Sequence, residues 1–441
     1  MSNAILSRSA VTLRDQLADG TLSAEALVRA CLDQITAREQ VVQAWAWIDP
    51  DYALLQARAL DAHRASGAAL GRLHGLPVGL KDVIDTAGIP TENGTPTHAG
   101  RVPAQDAWIV ARLRAEGAII MGKTVTTEVA YLHPGKTRNP HNPEHTPGGS
   151  SSGSAAAVAA GMVPLAIGTQ TGGSVIRPAS YNGVVGFKPS FGLIPRPGVL
   201  LQSHTLDTLG VFARSVADCA LLAEVLAGFA PTDDATRPGP APRLSEAAHT
   251  PPPGVPRFAL LRLPGWDAAD AEMTAAIADA AARLGAPDIT ETLPDFSHVS
   301  PARARINFAE MAHYYAPLEA RDASLMSPKL VQAMQDGRAV PAPAYLADLG
   351  VKTQINAAMT PVFAQYDAVL CPASPGPAPY SLASTGDSIF NGIWTLAGTP
   401  AITLPVFTAS NGLPFGLQLV GAVGEDARLV RTARWLAGHL S

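Results

Sequence analysis

Two hydrophobic rhythms run through the chain. Residues 12–19 and 24–39 place apolar side chains every three or four positions and predict amphipathic helices, the first closed by Gly20 and the second capped by Ser23. Residues 42–48 alternate as a strand, and residues 51–65 return to helix. Residues 76–81 form an apolar run that ends on Lys81, which predicts a buried strand holding a lysine at its end. Unpaired lysines are seldom buried, so this one reads as functional. A loop through residues 94–96, a helix over about 107–117 and a strand at 118–122 come next. Residues 129–147, rich in His, Pro and Asn, predict an irregular loop that walls a pocket, followed by a small-residue helix at 155–162 and a short buried strand at 163–167.

Further along, residues 215–229 predict a helix. Residues 231–256 carry eight prolines and read as an unstructured excursion on the surface of one domain spanning 1–441, because strand character resumes at 258–261. A helix at 268–284 ended by Gly285, more helix through about 307–348 broken near Pro341 and Pro343, and a strand at 367–371 complete the series. Such alternation predicts an α/β fold, an α/β/α sandwich around a large mixed sheet.

Composition narrows the function classes. With 47% hydrophobic and 16% charged residues in 441, the chain can bury a large core. A net charge of −5 and the lack of a basic tail argue against nucleic acid or an acidic membrane as partner. No uninterrupted apolar run approaches the roughly 18 residues of a membrane span. Cys31, Cys219 and Cys371 are odd in number and widely spaced, which fits a reducing compartment. The expectation is a cytoplasmic protein.

The chemistry concentrates in two clusters, Gly148-Gly149-Ser150-Ser151-Ser152-Gly153-Ser154 and Thr169-Gln170-Thr171-Gly172-Gly173-Ser174-Val175-Ile176-Arg177. Gly172-Gly173 before Ser174 describes a tight turn able to aim several peptide N–H groups at one point, which is how an oxyanion hole is made. The order of these clusters, with Gly79-Leu80-Lys81-Asp82 upstream and Gly183-Val184-Val185-Gly186-Phe187-Lys188-Pro189 downstream, resembles the amidase signature family. The resemblance covers nearly the whole chain and implies the family's fold. It makes Ser174 the nucleophile, Ser150 a bridging serine held by a cis peptide, Lys81 the base, and the N–H groups of Thr171, Gly172, Gly173 and Ser174 the oxyanion hole, without metal or organic cofactor.

On that reading the chain is an amidohydrolase of small linear amides, with carbamates and aryl amides as alternatives in the same site. Gln170 stands where the family commonly has Asp, Arg177 one place later than its usual Arg, and Ser152 in place of Gly, which resembles a malonamidase-type branch whose arginine holds a substrate carboxylate. Arg177, Gln170, Ser152 and Thr169 are therefore the candidate substrate contacts, although Arg177 in a structural ion pair is the plainer reading. The resemblance leaves a homodimer open. It also admits the A subunit of glutamyl-tRNA amidotransferase, against which the acidic balance, the short C-terminus and Gln170 weigh, and a catalytically dead binding protein, against which the filled triad weighs.

Three other patterns compete. Residues 117–124 fit a phosphate loop, but their middle is itself a strand. His141-Asn142-Pro143-Glu144-His145 fits an inverted zinc-protease pattern, which the prolines deny a helix. Gly149-Ser150-Ser151-Ser152-Gly153 fits a nucleophile elbow that would use Ser151 with His298 or His439, but no apolar strand precedes it.

Overall fold

Neighbouring residues of a strand point to opposite faces of a sheet, and in this chain both faces are buried. Phe258, Leu260, Ala368 and Leu370 belong to one core, whereas Ala259, Leu261, Val369 and Cys371 belong to another. In the computed structural model, which describes residues 2–440, these residues stand at one end of a ten-stranded sheet, where the two cores lie on its opposite faces. Its strands are β1 (Trp45–Ile48), β2 (Pro77–Lys81), β3 (Ile119–Thr124), β4 (Leu165–Gln170), β5 (Val185–Lys188), β6 (Thr208–Ala213), β7 (Phe258–Leu260), β8 (Ala368–Pro372), β9 (Ala401–Thr408) and β10 (Pro414–Val420). They lie in the order β1-β3-β2-β4-β6-β5-β9-β10-β8-β7. β2 is parallel to β3 and β4, and β7 to β8; the other pairs are antiparallel. This is the mixed, helix-covered sheet expected.

One face is covered by the helices Ala24–Val42, Val216–Leu226, Ala271–Arg283 and Asp426–Leu440. The other is covered by Val299–Tyr314, Ala342–Gln365 and Gly392–Ala397.

Several boundaries differ from expectation for local reasons. The strand predicted from residue 42 begins at Trp45, because the helix before it continues to Val42. There Gln43 turns left-handed at φ 52°, while the Glu39 carboxylate accepts the N–H groups of Ala44 and Trp45. The small-residue helix is Ser152–Ala159, starting three residues early, and β4 extends to Gln170, so Thr169 and Gln170 lie on a strand rather than in the turn. The excursion at 231–256 is not unstructured throughout: it contains the helix Leu244–His249, and buried Asp233 holds Arg196 through two side-chain contacts of 2.7 and 3.1 Å.

Candidate active site

β2 runs between two parallel neighbours, so its last residue, Lys81, emerges at the carboxyl edge of the sheet beside the end of β4. Open α/β sheets carry ligands at that edge. Lys81 is wholly buried, and its Nζ lies 2.7 Å from Ser150 Oγ and 2.7 Å from Thr169 Oγ1. Burial lowers its pKa from 10.5 to about 7, with Asp207 opposing the shift. Ser150 arrives on the loop that precedes the helix Ser152–Ala159, after a cis Gly149–Ser150 peptide.

The density of small residues here is steric. A Cβ on Gly153 would stand 2.2 Å from Ala44 O, and one on Gly168 would stand 2.4 Å from Ser151 Oγ.

Beyond β4 the chain turns through Thr171, Gly172, Gly173 and Ser174 into the helix Ile176–Asn182. All four turn residues line a cavity of about 490 Å³, together with Ser150 and Arg177. Among the described residues, no protein group accepts their backbone N–H groups. The turn is held from behind: the Gln170 Oε1 accepts the N–H groups of Val175 and Ile176 at 2.9 and 3.0 Å, and Thr171 Oγ1 donates to Asp207 at 2.5 Å. Thr395 Oγ1 donates to Gly172 O at 2.8 Å.

Of the four candidate substrate contacts, only Arg177 reaches the cavity. Gln170 is turned into the protein as just described, Thr169 faces Lys81, and Ser152 Oγ donates to Gly148 O at 2.8 Å. Among the described residues, Arg177 has no ion-pair partner. Its Nε donates to Thr385 O at 2.8 Å and its Nη2 to Gly149 O at 2.5 Å and Thr385 Oγ1 at 3.3 Å, which clamps the loop carrying Ser150.

The competing patterns come apart. Ser151 is fully buried, its Oγ bonded to both the N–H and the carbonyl of Thr169, and it does not line the cavity. Lys123 of the phosphate-loop pattern is a buried β3 residue that donates to Ile84 O and Thr91 Oγ1. His141 and His145 are engaged with the carbonyls of Asn182 and Ala378. Among the described residues, no group of three or more His, Cys, Asp or Glu could hold a metal ion, and no helix is long and apolar enough to cross a membrane.

The remaining walls include one loop the sequence pointed to and two segments it did not. The loop at 130–132 contributes Tyr131, as the expected pocket wall. The helix Val299–Tyr314 presents Arg303, Asn307 and Phe308, and the segment 384–388 presents Asp387 and Ser388.

A family model described as Amidase matches residues 26–430. The chain belongs to the amidase family. It is 35% identical to the A subunit of the glutamyl-tRNA(Gln) amidotransferase of Salinispora arenicola, over 97% of this chain and 96% of that one. Among solved structures it resembles one described as a vestigial protein complex that reveals the evolutionary origins of an s-triazine catabolic enzyme, at 28% identity and a TM-score of 0.91 over 98% of both chains. It also resembles the peptide amidase of Stenotrophomonas maltophilia, at 29% identity and a TM-score of 0.85 over 98% of this chain and 96% of that one. The names of these curated relatives match the amidotransferase alternative better than the free-standing hydrolase expected first.

Proposed function

We propose that this amidase-family chain cleaves the C–N bond of a linear amide through an acyl-enzyme on Ser174. The carrying observation is Lys81, wholly buried, 2.7 Å from Ser150 and with a pKa of about 7. A neutral amine at that place can take a proton that an ordinary lysine cannot. Ser174 Oγ attacks the carbonyl carbon and passes its proton to Ser150 Oγ, whose own proton moves to Lys81 Nζ. The oxyanion forms against the N–H groups of Thr171, Gly172, Gly173 and Ser174, each donor worth about 3 kcal/mol. Return of the proton along the same path to the nitrogen expels the amine or ammonia, and water, deprotonated over the same path, then attacks the acyl carbon and frees Ser174 and the carboxylic acid.

Two fates of the released nitrogen divide the reading. The names of the relatives favour a component of an amidotransferase, in which released ammonia serves a partner. The peptide amidase neighbour favours direct hydrolysis, for which carbamates and aryl amides are further candidate substrates. The test is ammonia release from glutamine, succinamate, aryl amides and carbamates by the purified chain, with its assembly state read by light scattering. Turnover by the chain as a monomer or homodimer would favour the hydrolase; activity confined to material co-purifying with a second chain would favour the amidotransferase. Absence of Ser174 modification by a fluorophosphonate would overturn both.

A further inference from the structure

Arg303 stands in the cavity with no hydrogen bond to any protein group among the described residues. Its position is built rather than accidental. The side chain crosses Gly392 so closely that a Cβ there would lie 2.5 Å from its Nε and 3.2 Å from its Cζ. Its Nη1 lies 3.3 Å from where a Cβ of Gly172 would be, which sets the guanidinium against the turn that carries Ser174. Only Gly173 separates Gly172 from Ser174, so the cation stands within roughly 12 Å of the nucleophile's Cα. The walls hold the cations Arg177, Arg303 and Lys329 against the single carboxylate of Asp387, in a protein whose net charge is −5. A cationic cleft in an acidic protein draws anions.

Arg177 is poorly placed to bind such an anion with two parallel bonds, because its Nε and Nη2 are both spent on Thr385 and Gly149. Among the described residues, none accepts any of the five N–H donors of Arg303. We infer that the substrate is an amide bearing a carboxylate a few carbons from the scissile carbonyl, and that Arg303 receives that carboxylate while Arg177 holds the Ser150 loop. This rests on the proposed chemistry at Ser174, and it moves the carboxylate contact from Arg177 to a helix far along the chain.

The test pairs binding with turnover. Malonate, succinate and glutarate are titrated into the wild type, Arg303→Gln, Gly392→Ala, Arg177→Gln and, as a charge control remote from the cavity, Arg283→Gln. kcat/KM is then compared for succinamate and for uncharged butyramide. The wild type should bind one of the three dicarboxylates, and Arg303→Gln should weaken it at least ~30-fold, the loss expected of a charged bidentate contact. Gly392→Ala, which displaces the guanidinium without removing its charge, should weaken it too. The succinamate-to-butyramide ratio should fall by a similar factor in Arg303→Gln and not in Arg283→Gln. No dicarboxylate binding by the wild type, binding that survives Arg303→Gln, or binding lost only in Arg177→Gln would each overturn the assignment. Fluorophosphonate modification of Ser174 in Arg303→Gln reports the underlying chemistry separately, so failure of one reading is distinguishable from failure of the other.

Discussion

Replacing Lys81 by Met should cripple turnover and yet stabilise the protein at neutral pH. The unfolded chain keeps this lysine protonated up to about pH 10.5, whereas the folded protein gives the proton up above about 7. Between those values the unfolded state binds more protons, so the native state gains stability as pH rises and is penalised as pH falls. At pH 7 the penalty is about 4 kcal/mol, and it levels off near about 5 kcal/mol at lower pH. Methionine fills a similar volume without the charge. It leaves Ser150 Oγ and Thr169 Oγ1 without their partner, at about 1 kcal/mol each. The variant should therefore be more stable by roughly 2 kcal/mol at pH 7, equal to the wild type near pH 9 and less stable by roughly 1 kcal/mol at pH 10.

Lys188, also buried with a pKa of about 7, is present in both proteins and cancels in the difference. Guanidinium unfolding of both proteins from pH 6 to 10 measures the crossover. A stability difference that does not change with pH, or a loss at pH 7, would mean that Lys81 is charged in the folded protein, and the relay through Ser150 would go with it. In the same series, wild-type kcat/KM should rise about tenfold per pH unit below about 7 and level above it, while Lys81→Met lies at least ~10⁴-fold lower throughout.

Fluorophosphonate modification followed by peptide mapping should find Ser174, and should find it still in Ser151→Ala, since Ser151 is bonded to β4 and does not line the cavity. Modification at Ser151 would refute this. Gln170→Ala should lower kcat on the order of 10-fold or more and destabilise by about 1–3 kcal/mol, because two buried N–H groups lose their acceptor; Gln170→Glu, which restores an acceptor, should recover part of the rate. His298→Ala and His439→Ala, both at exposed positions that do not line the cavity, should keep kcat/KM within about twofold, and a large loss in either would revive a serine-histidine mechanism.

What could be read from the sequence divides according to how far each feature depends on distant chain. Lys81 was legible because one polar residue ending a wholly apolar run has few structural excuses. The serine clusters were legible through the glycines around them, because backbone that must pass within contact of Ala44, Ser151 and Asn391 leaves no room for a Cβ. The central strands β5 and β6 and the strands β9 and β10 were not anticipated. They are covered on both faces, so they lack the alternation that marks a half-exposed strand, and Pro405 and Gly416 interrupt them. The helix Asp426–Leu440 was not anticipated either, although its apolar stripe of Leu429, Val430, Ala433 and Leu436 has helical spacing.

Arg303 was illegible for a different reason. Among the polar residues of its helix it looks like ordinary surface, and only the sheet's topology carries it to the Ser174 turn. Arg177 was legible as a residue, but adjacency to the nucleophile in sequence says nothing of what its donors meet, and here Nε and Nη2 meet the carbonyls of Thr385 and Gly149. Catalytic groups that must act on one another are pinned by short-range geometry and leave a local trace in sequence. Groups that recognise the far end of a substrate need only arrive, from any element, at the right distance, and so the part of the site that decides specificity is the part a sequence hides.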